Sequence, residues 1–162
     1  MYRPTFAIFA IGHEDEAALG LALETMGDLL LALVNINRRY MRRFPGQIPL
    51  LYEGGIRYER MKPAEGCEDD YWQDCVVCKD LRKADCEDLA CYRVAELQER
   101  LGVLDAAPHV NLSRRIASDG VEEHQYHVLV RWPEGLDVYP KTVYIDDKGR
   151  YLEDPSRVLG MR

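Results

Sequence analysis

The chain has no run of apolar residues long enough to cross a membrane. Its N-terminal apolar run, Thr5–Ile11, has seven residues and is followed by the charged segment His13–Glu16, whereas a membrane-spanning helix needs about 20. The run is also too short for the hydrophobic region of a signal peptide with a cleavage site. We therefore expect it to form a buried strand in a protein that has no membrane partner.

The chain also lacks an excess of basic residues and an even number of cysteines. Its formal net charge is −7, with 30% charged residues, which disfavours a phosphate-binding surface and predicts no nucleic-acid partner. Five cysteines, an odd number in a chain where we find no secretory signal, argue against a fully paired disulfide framework. We expect mostly reduced thiols and a cytoplasmic location.

The sequence has no internal repeat and no low-complexity segment. Two of its segments show the apolar periodicity of a helix. Apolar residues recur three or four positions apart from Glu14 to Phe44, and Pro45-Gly46 ends this long amphipathic helix. Its last turns carry four arginines, which we interpret as a solvated basic end that suits the helix dipole. A second helix is predicted to begin near Ala84 and to be capped by Gly102, with this apolar face: Leu89, Val94, Leu97 and Leu101.

Beyond Pro108 the pattern changes to alternation with β-branched residues, which is typical of strands. The predicted strands are His127–Trp132, Lys141–Ile145 and Arg150–Asp154, with a hairpin turn at Asp146–Gly149. A length of 162 residues, 47% of them hydrophobic, suits a single domain. We expect an α+β domain over residues 1–162, in which 1–48 form the first strand and long helix and 49–162 form the core.

Cys86 stands where a polar loop becomes the second helix. The first turn of a helix has unpaired N–H groups and a partial positive charge, and both favour a thiolate. Such a nucleophile needs a base and a group that orients the base. His127 and Asp154, on strand-like segments, are the candidates, and His124 is the alternative base.

Three local motifs carry a family resemblance. They are Ala84-Asp85-Cys86-Glu87-Asp88-Leu89-Ala90, Tyr126-His127-Val128-Leu129-Val130 and Glu153–Met161, with upstream support from Tyr52–Tyr58 and Tyr71-Trp72. Over residues 50–162, these motifs resemble the transglutaminase-like branch of the papain fold, and in particular small members found in bacteriophage genomes.

The resemblance implies a papain-like, transglutaminase-like core in which the nucleophile helix packs on an antiparallel sheet. It implies a Cys86-His127-Asp154 triad that forms a thioester with a protein or peptide amide and needs no cofactor. The acyl acceptor is an amine in a cross-linking transglutaminase and water in a thiol protease or amidase, and the motifs do not separate the two. A phage protein of this kind acts in the host cytoplasm or the virion.

The oxyanion of such a reaction needs hydrogen-bond donors. The Cys86 backbone N–H is one, and Gln73 or the Trp72 indole N–H are candidates for a second. The segment from Glu65 to Asp88 opposes the reaction because it holds nine acids and three bases. Carboxylates near Cys86 raise its pKa.

Two other interpretations stay open. One is a catalytically inactive fold that serves as a phage structural or protein-binding module. The other is a small zinc-binding interaction domain, because Cys75 and Cys78 have the spacing of a zinc knuckle and Cys67 could complete the site. In that case the three cysteines are the metal ligands, and otherwise they are ordinary small hydrophobic residues or loop thiols.

Overall fold

The structure is a computed structural model that describes residues 16–59, 72–116, 122–138 and 141–144. Its elements, in chain order, are α1 (Glu16–Arg43), β1 (Arg57–Tyr58), α2 (Cys75–Leu81), β2 (Lys83–Ala84), α3 (Cys86–Arg100), β3 (Ala107–Ile116), β4 (Glu122–Trp132), β5 (Gly135–Val138) and β6 (Lys141–Tyr144). The last four strands form one antiparallel sheet in the order β3-β4-β5-β6, while β1 and β2 form a separate parallel pair. The expected mixed α+β class, with a small antiparallel sheet, is confirmed.

Helix α1 confirms the long helix predicted from apolar periodicity, and it packs along α3. Its buried residues include Leu30, Val34 and Met41. The Cys91 thiol on α3 donates to the Leu30 carbonyl at 3.4 Å. At the basic end of α1, Arg39, Arg42 and Arg43 are exposed, as expected, and Arg38 and Arg42 both pair with the same acid on α3, Glu99.

Helix α3 is the most buried of the described helices. Ten of its fifteen residues are buried, and it contacts α1 on one side and the sheet on the other. The predicted apolar face is confirmed at Leu89, Val94 and Leu97, but the prediction for Leu101 is wrong. Leu101 follows the last helical residue and is 54% exposed. Gly102 has a φ of +72°, the left-handed conformation that its proposed capping role requires.

Helix α2 was not predicted, because its seven residues are too few to show a period. The side chain of Asp74 caps it by accepting hydrogen bonds from the backbone N–H groups of Val76 and Val77, at 2.9 and 3.0 Å. Asn37 of α1 accepts a hydrogen bond from the Cys75 N–H at 2.8 Å. Cys75 and Cys78 both face the core and are fully buried.

Strand β4 is the inner strand against which α3 packs. Val128, Val130 and Trp132 of β4 belong to the core cluster, so the alternate residues, His127 among them, lie on the outer face of the sheet. The predicted segment His127–Trp132 is the second half of this strand, and Lys141–Ile145 is confirmed over β6. Strands β3 and β5 were not predicted.

A buried ionic network ties α3 to the chain around it. Arg93 binds Glu96 within the helix and donates to Asp137 of β5 at 2.9 Å. Glu96 also accepts the Leu51 N–H at 2.8 Å, and Tyr52 donates to Asp137. Each carboxylate oxygen of Glu96 and Asp137 accepts a hydrogen bond, so the two carboxylates share one cation, Arg93, and are further stabilised by neutral donors.

Among the described helices, none is both long and apolar enough to span a membrane. The predicted strands Thr5–Ile11 and Arg150–Asp154 and the turn Asp146–Gly149 lie outside the described residues.

Arg93→Met is expected to destabilise the fold by about 3–5 kcal/mol, because it leaves Glu96 and Asp137 buried without their cation. Urea unfolding of the variant measures this loss. Lys83→Met is the matched control, because the Lys83–Glu59 pair is exposed and such pairs contribute little. Equal losses in the two variants would show that the buried network does not hold α3 in place.

Candidate active site around Cys86

Cys86 is the first residue of α3 and follows directly from β2. The parallel pair β1–β2 aligns Tyr58 with Ala84, and the Glu59 N–H donates to the Ala84 carbonyl at 2.9 Å. Asp85 then takes an extended conformation and starts the helix. The thiol therefore lies at the helix N-terminus as predicted, in a half-buried position.

The sulfur has two polar neighbours. Its thiol donates to Oε2 of Glu87 at 3.1 Å, and the backbone N–H of Val128 donates to the sulfur. Backbone N–H groups of a strand point sideways, in the plane of the sheet. The second interaction links the start of α3 to the residue of β4 that follows His127.

The surroundings of Cys86 hold its thiol in the neutral form. Burial raises the pKa of Cys86 most, the Glu87 carboxylate raises it further, and Asp85 adds to both. The hydrogen bond from Val128 acts in the opposite direction, because it stabilises the thiolate. The acid-rich segment thus raises the pKa of Cys86, as its charge predicted.

The acids beside Cys86 are buried, with 5%, 6% and 0% of Asp85, Glu87 and Asp88 exposed. Sequence reasoning gave Glu87 and Asp88 only the role of first-turn acids facing the helix dipole, and it did not identify Glu87 as the thiol's partner. Burial, followed by the charge of Asp85, raises the pKa of Asp88, whose carboxyl also hydrogen-bonds Asp85. Two carboxyls in this arrangement share a proton more readily than they both ionise.

Asp88 also positions the two candidate oxyanion residues. Its Oδ1 accepts the backbone N–H of Gln73 at 2.6 Å, which fixes Trp72 and Gln73 beside the first turn of α3. Gln73 is buried, and Trp72 is half-buried against the core. The structure brings both residues near the helix that carries Cys86, and their role as side-chain donors stays a prediction.

His127 is half-buried on β4, and burial lowers the pKa of its imidazole. Its backbone is next to the Val128 N–H that contacts Cys86, but its side chain leaves the strand on the face opposite Val128. Among the described contacts, no hydrogen bond joins the imidazole to the sulfur. The side chain of His124 and all of Asp154 lie outside the described residues, so the triad stays a prediction.

The remaining described cysteines are core residues. Burial, followed by the charge of Asp74, raises the pKa of Cys75 to about 12, and burial also raises the pKa values of Cys78 and Cys91. Within the described part of the chain, no three His, Cys, Asp or Glu side chains are grouped to hold a metal ion. Cys67, the third ligand of the zinc interpretation, lies outside it.

Comparisons with family models, with curated proteins and with solved structures find no match for this chain.

Glu87→Gln is expected to make Cys86 more reactive, because the substitution removes the carboxylate that accepts the thiol proton and raises the pKa of Cys86. A pKa lower by one unit gives about tenfold faster alkylation by iodoacetamide at about pH 8. Peptide mass spectrometry reads the rate at Cys86. Asp80→Asn, which removes an exposed acid of the same segment, is the control, and equal rates in the two variants would contradict the assignment.

Asp88→Asn is expected to gain stability relative to the wild type as the pH rises from about 4 to 8. Below the ordinary pKa of this carboxyl, 3.8, the folded and unfolded wild-type chains both carry the proton. Above it the unfolded chain releases the proton while the folded chain keeps it, so the wild type loses stability until its raised pKa is passed.

The asparagine does not titrate, and its side-chain oxygen can still accept the Gln73 N–H. Urea unfolding of both proteins over this pH range measures the difference in their free energies of unfolding. A difference that stays constant with pH would show that Asp88 titrates normally in the fold.

Proposed function

We propose that this protein is a cysteine-dependent enzyme that transfers an acyl group from an amide through a thioester on Cys86. One observation carries the proposal: Cys86 begins α3, and this helix packs against β4, the strand that carries His127. A nucleophile helix packed on an antiparallel strand that carries a histidine agrees with the papain-like, transglutaminase-like core that the motifs resemble. The substrate in this proposal is a protein or peptide.

The reaction starts from a neutral thiol and a neutral imidazole. His127 takes the thiol proton while the sulfur attacks the carbonyl carbon, so the C–S bond forms and the carbonyl π electrons move to oxygen. The amide C–N bond then breaks, and the imidazolium returns the proton to the leaving amine. Water or a second amine later cleaves the thioester.

His127 comes directly before Val128, whose backbone hydrogen bond lowers the pKa of Cys86. In this proposal the imidazole turns toward the sulfur. The lowered pKa of His127 keeps the imidazole unprotonated and able to accept a proton at neutral pH. Asp154 orients the imidazole in this proposal, as the resemblance implies.

The second candidate function is a catalytically inactive fold used as a structural or protein-binding module. The contact between the Cys86 thiol and Glu87 favours it, because buried acids and a raised pKa of Cys86 both oppose thiolate formation. In such a module Cys86 reacts no faster than an ordinary thiol.

p-Nitrophenyl acetate, an activated ester, separates the two functions without knowledge of the natural substrate. An active Cys86 releases p-nitrophenolate and becomes acetylated, and peptide mass spectrometry locates the acetyl group. Cys86→Ser is expected to abolish the modification, and His127→Ala to slow it about 100-fold through loss of the base.

His124→Ala is the matched control, since His124 lies three residues away on the same strand. Equal rates in the two histidine variants would remove His127 from the mechanism. If Cys86 in the wild type were not acetylated, the protein would be assigned the binding-module function.

A further inference from the structure

A pocket lies at the end of the sheet where β3 begins and β4 ends. It has a volume of about 400 Å³ and is lined by residues 107–109, residues 131–133 and Asp105. The register sets Ala107 directly opposite Arg131, so neighbouring strands supply the two sides of the pocket. These lining residues take no part in the surroundings of Cys86, so the pocket is a second candidate site.

Arg131 is a cation of this pocket that lacks a counterion. Its side chain is exposed, and it forms no ion pair with any residue that the structure describes. Residues opposite each other in an antiparallel pair share a face, and His109 is the diagonal neighbour of Arg131, within about 8 Å. A single anion can therefore contact both the guanidinium and the imidazole.

Asp105 limits which anion the pocket accepts. Its side chain is exposed and, within the described part of the chain, it has no ion-pair partner either. This carboxylate repels a multiply charged group such as a phosphate more strongly than a singly charged carboxylate. It can also accept a hydrogen bond from an amide N–H. The charges therefore favour a carboxylate that is carried by a peptide.

The apolar part of the pocket is rigid. Trp132 belongs to the core cluster, and Gly135 packs so closely on its ring that a Cβ added to this glycine would clash with the indole. Pro108 and Pro133 add two further rings to the lining. Ligand sites typically combine such apolar walls with a few polar groups that fix the orientation of the ligand. The pocket thus has room for an apolar side chain beside the carboxylate.

We propose that this pocket binds a peptide carboxylate that stands next to an apolar side chain. Arg131 pairs with the carboxylate through its planar guanidinium, His109 donates to it, and Asp105 accepts an amide N–H of the same peptide. The carboxylate is either the C-terminus of the peptide or the side chain of an acidic residue. The inference does not rest on the reaction at Cys86, because a substrate and a binding partner both present such groups.

Three short peptides test the pocket and identify the source of the carboxylate. Acetyl-alanyl-phenylalanine has a free C-terminal carboxylate, and its C-terminal amide is the uncharged control. Acetyl-phenylalanyl-glutamic acid amide has the carboxylate on a side chain instead. Binding is followed through the indole N–H signals in proton–nitrogen NMR spectra. The chain has two tryptophans, so Trp132 reports on the pocket and Trp72 serves as the internal reference.

We expect at least one of the two carboxylate peptides, at millimolar concentrations, to shift the Trp132 signal, and the uncharged control to leave it in place. Arg131→Gln is expected to weaken this binding about tenfold, because it removes the charged partner of the carboxylate. The variant should fold normally, since Arg131 is exposed. Arg39→Gln is the matched control, because it removes an exposed arginine of α1 and should leave the binding unchanged.

Inorganic phosphate is the last probe and tests the class of ligand. Phosphate binding as tight as that of the carboxylate peptides would overturn the inference, because Asp105 would then exclude nothing. It would also be overturned if neither carboxylate peptide shifted Trp132, if the uncharged control bound equally well, or if Arg131→Gln bound like the wild type. Acetylation of Cys86 enters none of these measurements, so a failure here leaves the proposed function standing.

Discussion

The burial of α3 is the constraint on which the rest of this structure depends. The helix lies between α1 and the sheet, yet it carries Asp88, Arg93 and Glu96 at positions that water hardly reaches. A buried polar or charged group without a partner costs about 1 to several kcal/mol, so each of these groups must draw another part of the chain toward it. Glu96 holds the Leu51 backbone, and Asp88 holds the Gln73 backbone.

These contacts hold two distant segments of the chain against α3. The segment near residue 51 leads into β1, which pairs with β2 directly before Cys86. The segment near residue 73 leads into α2, whose N-terminus is held by Asn37 of α1. The surroundings of Cys86 are thus assembled from pieces that do not pack together through apolar contacts alone.

The elements that sequence reasoning could predict are those with a long local signal. Helices α1 and α3 repeat apolar residues over many turns, and a period of that length is visible without tertiary information. Strand β3 was missed because Pro108 and polar residues interrupt its alternation, and β5 because four residues hold no period. Leu101 fits the helical period, but the helix ends one residue earlier and leaves that side chain in solvent.

The candidate site also has a part that the sequence could predict and a part that it could not. The motif around Cys86 predicts a cysteine at the start of a helix, which the structure confirms, since this is a local feature. Glu87 as the acceptor of its thiol proton was not predictable, because a first-turn acid is ordinarily solvated and only tertiary packing buries this one. The hydrogen bond from the Val128 backbone was not predictable either, because a backbone group has no side-chain signature in a sequence.

Two opposed pKa shifts bear on the chemistry that we propose for this site. Burial raises the pKa of Cys86 and lowers that of His127, so a pre-formed thiolate–imidazolium pair is disfavoured from both sides. In the proposed reaction, proton transfer therefore accompanies attack, when the new C–S bond moves negative charge from sulfur to oxygen and away from Glu87. The N–H groups at the start of α3 would favour this negative charge against the surrounding carboxylates.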